Sequence, residues 1–214
     1  MTTPFDLATT DALLSTTRAV RKRLDLDRPV PREVIRECLE LATQAPTGSN
    51  RQGWRWIVID EPAIKAEIGA IYKGVADAYA IQQGGAQLAA QDRGVAKILD
   101  SFAWLAANMH RVPAMVIPCI EGRPEGDWAP SRTAAHYGSI FPAVWSFQLA
   151  LRARGLGSTL TTLHLNEEAR VAELLGVPDG MMQVALLPVA YTVGTGFRPG
   201  PRAPLDTITH WNGW

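Results

Sequence analysis

Much of the usual equipment for catalysis or export is missing from this chain. Its 214 residues include only two cysteines, Cys38 and Cys119, and these lack CxxC spacing, which excludes a disulfide framework. The four histidines, at 110, 136, 164 and 210, have no mutual spacing that suits a metal centre, so no metal is expected, and His164 between two leucines reads as structural. No serine sits in a G-x-S-x-G elbow. Gly194-Thr195-Gly196 precedes no helix and has Pro199 where a dinucleotide fingerprint needs glycine. Net charge is also absent: Lys plus Arg and Asp plus Glu both total 21, which argues against a general nucleic-acid binder. Residues 1–14 lack the basic region and apolar core of a secretory signal. No apolar run reaches membrane-spanning length, since even the 140–151 stretch is broken by Ser146 and Gln148. A reducing cytoplasm is therefore the expected location. With 47% apolar and 20% charged residues, the composition is that of an ordinary globular protein long enough to bury a core. It shows no repeat and no low-complexity linker, so one α+β domain over 1–214 is expected.

Periodicity supplies the elements. Val34, Ile35, Cys38, Leu39, Ala42 and Ala45 fall on one face of a helix over 31–45. Pro31 suits its first turn, and Pro46 with Gly48 suits its end. Residues 54–59 alternate as a strand. The Ala- and Gln-rich stretch 61–110 reads as two or more helices, broken at Gly84-Gly85, forming a variable cap. Residues 112–120 form an apolar strand in which Pro113 and Pro118 call for an edge or a bulge. The longest helical pattern is 131–154; its apolar residues cover most of its circumference, predicting a central helix shared with a second subunit. Gly155-Leu156-Gly157 ends it. Residues 158–165 and 183–191 read as strands, 167–175 as a short helix, and 194–204 as an extended arm.

Against this background two runs stand out. Thr17-Arg18-Ala19-Val20-Arg21-Lys22-Arg23 packs four cations into six residues. Arg18 and Arg21, three apart, project to one side of a helical turn, and each planar guanidinium can bind two phosphate oxygens. Alone, the run reads more simply as a solvated basic face. The second run, Ala45 to Trp54, joins helix to strand with Pro46, Thr47, Gly48, Asn50 and Gln52. Its amides suit the polar edge of a flat heterocycle, though an ordinary connection would look similar. Leu160-Thr161-Thr162 and the lone Arg202 in the Pro-rich arm say little by themselves. No side chain stands out as a catalytic acid, base or nucleophile, which points to chemistry carried by a cofactor.

Taken in order, these segments resemble the nitroreductase family of flavin enzymes over roughly residues 13–208. The 17–21 run corresponds to the family's Arg-Arg-Ser-x-Arg phosphate and ribityl grip. Residues 45–54 resemble its Ala-Pro-Ser-Gly-x-Asn-x-Gln-Pro-Trp turn, residues 155–162 its Gly-Leu-Gly and threonine pair along the flavin ring, and Arg202 its late phosphate-binding arginine. The resemblance implies a three-layer α/β/α sandwich with a mostly antiparallel central sheet and a long buried helix. It further implies FMN bound by Thr17, Arg18, Ala19, Arg21, Pro46, Thr47, Gly48, Asn50, Gln52, Leu160, Thr161, Thr162 and Arg202, in a homodimer whose two sites are each built from both chains. The implied activity is a ping-pong oxidoreductase, in which NADH or NADPH passes hydride to flavin N5 and an electron-poor acceptor such as a nitroaromatic or quinone then takes it. A non-catalytic flavin-storage protein, a reductive dehalogenase-like enzyme and a flavin-cleaving enzyme share the resemblance. A degenerate scaffold without flavin is the further alternative. Tyr72, Tyr79 and Trp104 are candidate lining residues of the cap, or simply packing residues.

The chain departs from the family pattern at Thr17, Ala19, Arg23 and Gly53. One cation and one hydroxyl are lost, so phosphate binding rests on Arg18, Arg21 and Arg202. A charge-assisted hydrogen bond contributes roughly 1.5–3 kcal/mol, so removing one weakens binding about tenfold or more. Arg18→Ala and Arg202→Ala are therefore expected to fold as dimers and to purify with less FMN. Full flavin content and activity in both variants would overturn the assignment.

Overall fold

A computed structural model describes residues 4–82, 93–124 and 126–214; the expected break at Gly84-Gly85 lies outside them. In chain order the helices are α1 (Leu7–Thr16) and α2 (Arg32–Ala42), then α3 (Pro62–Gln82) and α4 (Arg93–Asn108), then α5 (Pro130–Gly138), α6 (Phe141–Ala153) and α7 (Glu168–Leu175). The strands are β1 (Trp54–Ile59), β2 (Ala114–Glu121), β3 (Leu156–Ser158), β4 (Met181–Gln183) and β5 (Leu187–Tyr191).

All pairings in this five-stranded sheet are antiparallel, in the order β1-β2-β5-β3, with β4 also on β2. β2 is buried from Ala114 to Ile120, so it must be covered on both faces. Successive side chains point to opposite faces of a strand. Met115, Ile117 and Cys119 accordingly pack with Ile68 and Tyr72 of α3, Leu105 of α4 and Val171 of α7. Ala114, Val116 and Ile120 pack with Ile35 and Cys38 of α2 and Val144 and Phe147 of α6. The result is the expected three-layer α/β/α sandwich. Among the described residues no helix is long and apolar enough to cross a membrane.

Several boundaries differ from the sequence reading, each for a local reason. The 131–154 pattern is two helices, with Ile140 (φ −120°, ψ −44°) breaking it. Pro142 has no N–H for the Gly138 carbonyl, so the chain ends one helix and starts another. α2 stops at Ala42, and residues 43–45 turn through Gln44 N donating to Leu41 O and Ala45 N donating to Ala42 O. Nor is β2 an edge strand. Pro118 O accepts from Val184 N at 3.0 Å, so its missing N–H faces the gap between β4 and β5. There residues 184–186 leave the ladder and split the expected 183–191 strand in two. Leu186 turns instead to Thr161, exchanging two backbone hydrogen bonds of 2.8 and 3.1 Å. The expected 158–165 strand is correspondingly short: β3 ends at Ser158, and residues 163–167 form a 3₁₀ turn. The arm over 194–204 is extended as expected.

His164 in that turn is fully buried, and neither ring nitrogen has a hydrogen-bond partner. Burial lowers its pKa from 6.5 to about 4, against weaker opposing effects of Glu168 and Gln183. Between those values the unfolded chain binds the proton and the folded chain does not. Stability contributed here is thus complete above pH 6.5 and lost as pH falls toward 4. Denaturant titrations should show His164→Met flattening the wild-type decline over this window; equal slopes in the two proteins would refute the assignment.

Candidate functional site

The basic segment is placed by a glycine. A β-carbon on Gly157 would lie 2.7 Å from Thr192 Cγ2 and 2.9 Å from Val20 Cγ2. Only glycine allows residues 17–24 to lie this close to β3. Val20 N donates to Ser158 O at 2.9 Å, and Leu24 bridges Thr192. Thr17 closes α1, its hydroxyl donating to Leu13 O at 2.6 Å, while Arg18 and Ala19 stay exposed.

The C-terminal arm returns to this segment. Arg18 Nη1 donates to Arg198 O at 3.1 Å. Arg23 donates to the carbonyls of Val193 and Gly196 and lies over Phe197, 3.9 Å from the ring centroid. Arg152 donates to Thr195 O and lies 4.5 Å from the same centroid. Two guanidiniums thus hold one arm phenyl ring. At Gly200 a β-carbon would meet Arg202 Nη1 at 2.8 Å and Arg18 Nη2 at 3.2 Å. Arg18 and Arg202, 184 positions apart in sequence, converge on one point of backbone, and among the described residues neither pairs with a carboxylate. Two adjacent cations without an acid repel each other, and an anion between them removes that repulsion.

Thr161 joins this group through Tyr72, whose hydroxyl lies 3.0 Å from Thr161 Oγ1. Burial raises the Tyr72 pKa, while the Thr161 hydrogen bond and the Arg21 charge act against the rise, so Arg21 faces the same neighbourhood. Tyr72 is a core residue with 1% exposure, Trp104 packs against the core, and Tyr79 is exposed beside Phe102. Tyr72 and Trp104 are thus packing residues rather than cap lining. Leu160 and Thr162 flank Thr161 at the surface.

The turn before β1 is elsewhere. Ser49, Asn50 and Gln52 have φ values of 53°, 52° and 52°, a left-handed conformation costly for non-glycine residues. Internal hydrogen bonds hold it: Gln52 N to Thr47 Oγ1 at 3.2 Å and Gln52 Nε2 to Asn50 Oδ1 at 3.0 Å. Gly48 N donates to Ser139 Oγ at 2.9 Å, tying the turn to the α5–α6 junction. Pro46, Gly48, Asn50 and Gln52 are exposed and Thr47 half-buried. Strand order separates this turn from the arginines. It leads into β1 at one sheet edge, whereas residues 17–21 lie beside β3 at the other, three strand spacings or about 14 Å away. Among the described residues no hydrogen bond or ion pair joins Pro46, Thr47, Gly48, Asn50 or Gln52 to Arg18, Arg21, Thr161 or Arg202.

A model of the Nitroreductase family matches residues 14–191. The chain belongs to the nitroreductase family. Among curated relatives of this family member, the NADH dehydrogenase of Thermus thermophilus is 28% identical over 93% of this chain and 97% of its own. Iodotyrosine deiodinase 1 of Pongo abelii is 28% identical over 92% of this chain and 66% of its own length. Among solved structures, the FMN-dependent nitroreductase NfnB of Mycobacterium smegmatis, in complex with NADPH, superposes with a TM-score of 0.70. It covers 97% of this chain and 100% of its own, at 22% identity.

The sequence reading missed a cavity of about 590 Å³ between the turn and α5, with Arg51, Glu121, Trp128, Arg132 and His136 among its walls. Its signal was the i, i+4 spacing of Arg132 and His136, which puts both on one face of α5; Trp128 lies before that helix and joins them only through the fold. Among the described residues no group of three or more His, Cys, Asp or Glu could hold a metal.

Tyr72→Phe removes the hydroxyl that anchors Thr161. It should lower stability by roughly 0.5–1.5 kcal/mol in urea titration and leave the dimensions of the protein unchanged. An unaltered midpoint would show that the hydrogen bond contributes nothing.

Proposed function

We propose that this protein is an FMN-dependent oxidoreductase working as a homodimer, with residues 1–214 forming one flavin-binding domain. The observation that carries the reading is the convergence of Arg18 and Arg202 at Gly200 without an acidic partner. This donor set fits a phosphate, since planar guanidiniums bind its oxygens in pairs. Arg21, beside Tyr72 and Thr161, would add positive charge toward the ribityl chain and ring. The strained turn carrying Thr47, Gly48, Asn50 and Gln52 would present backbone amides and the Asn50 side chain to the flavin edge.

Three strand spacings, about 14 Å, lie across the sheet between the two groups, which supports a site completed by two chains, one giving the arginines and the other the turn. Trp145 of α6, 43% exposed, and the exposed Leu205, Ile208, Trp211 and Trp214 that follow the arm provide apolar surface for such an association.

Bound FMN would supply the hydride chemistry, taking two electrons from NADH or NADPH and delivering them to an electron-poor acceptor. The chain's own part is to hold the phosphate and to place donors where negative charge grows on the pyrimidine edge. No acid–base pair of its own is required. A dehalogenating reading is favoured by one observation, the match to iodotyrosine deiodinase over 92% of this chain; a panel of nitroaromatic, quinone and halophenol acceptors separates the two.

The decisive measurement is the visible spectrum of the purified protein with chromatographic identification of the released chromophore. Close to one FMN per chain is expected, on a particle of dimer size. A colourless protein that cannot be reconstituted with FMN would overturn the proposal.

A further inference from the structure

The cavity beside the turn has the size of a small-molecule site, at about 590 Å³ against the roughly 300–1,000 Å³ usual for ligand pockets. Its chemistry is one-sided. Trp128, Arg132 and His136 form one wall: the Arg132 guanidinium lies 3.9 Å from the Trp128 ring centroid, and the His136 ring meets Trp128 edge-on at 5.3 Å and 88°. Contact with the indole fixes Arg132 without neutralising it. Arg51, on the strained turn, is a second cation, and among the described residues neither pairs with a carboxylate. Glu121 is the one acid among the described lining residues, which leaves the cavity with an excess of positive charge.

His136 Nε2 is buried and has no hydrogen-bond partner, and a polar atom left so is costly. Burial, then the charge of Arg132, holds the ring below its usual pKa. The wall thus offers a guanidinium fork held against an indole, with the His136 ring behind them. The floor is the same turn that the preceding reading places at the flavin edge.

We propose that this cavity is the acceptor seat and that it selects planar aromatic carboxylates. Arg132 pairs with the carboxylate, and Trp128 lies along the ring. Rim charge alone would attract any anion; the aromatic wall restricts the choice to ring-bearing ones. This selectivity rests on the flavin reading for its role in turnover, whereas ligand capture itself does not.

Two measurements test it. In steady-state assays of the FMN-loaded protein with NADH or NADPH, 4-nitrobenzoate should be preferred over its neutral isostere 4-nitrobenzamide in kcat/KM. Arg132→Gln should cut that preference at least tenfold, and Arg132→Lys, which keeps the charge but not the fork, should fall between. Calorimetric titration with benzoate, which cannot be reduced, reads binding directly on the protein as purified. Wild type should bind benzoate more tightly than benzamide, with the benzoate Kd rising at least tenfold in Arg132→Gln. Equal affinity for benzoate and benzamide, or an unchanged Kd in Arg132→Gln, overturns the proposal. A protein that takes up no FMN and reduces neither nitro compound would overturn the flavin reading and the acceptor role together. The benzoate titration would then still decide whether the cavity selects aromatic anions.

Discussion

A strand with no polar face has to be covered twice, and much of this fold follows from β2. Six of its seven buried residues, all but Pro118, divide between two layers of helices by simple alternation. That requirement places α3, α4 and α7 on one side and α2 and α6 on the other, while strand order puts β1 and β3 at the two sheet edges. The candidate site inherits this geometry. The turn enters β1 and the arginine segment runs along β3, so the sheet's width keeps the two grips apart within one chain. A site that used both groups would therefore need a second chain, as strand order alone dictates.

Proline and glycine do much of the finer positioning. Pro118 leaves a ladder position without a donor, and the partner strand breaks opposite it. Leu186 is thereby released to bridge Thr161, which Tyr72 secures from the core. Gly157 admits the basic segment to within van der Waals range of β3, and Gly200 admits two guanidiniums to one point of the arm. The arm itself is held by Arg23 and Arg152 through three carbonyl hydrogen bonds and two ring contacts. These cations are satisfied by neutral groups, so Arg18 and Arg202 keep their charge available. Arg23, a departure from the family pattern, has a clear task here as an anchor of the arm.

The fold class, the strand at 54–59 and the helix from residue 32 could be read from periodicity, because burial on one face imposes a repeat that survives in the sequence. The candidate binding runs at residues 17–21 and 45–54 were visible as clusters of cations and of small and amide side chains, each of which alone also reads as a solvated face or an ordinary connection. Less was visible where one residue's effect depends on a distant partner. The split of 131–154 turns on Pro142 and was masked by continuous apolar periodicity around it. The split of 183–191 depends on Pro118 across the sheet, which no local pattern records. Sequence left Tyr72 open between cap lining and packing, because its hydroxyl partner lies 89 positions away.

Sequence alone determined which segments are apolar on one face, which are apolar on both, and where cations and strained turns gather, since each of these is a property of neighbours along the chain. Tertiary structure decided that Arg18 meets Arg202, that Tyr72 meets Thr161, and that Trp128, Arg132 and His136 wall a cavity beside the turn. Those meetings are set by strand order and helix packing, which join residues far apart in the chain and leave no periodic trace in it.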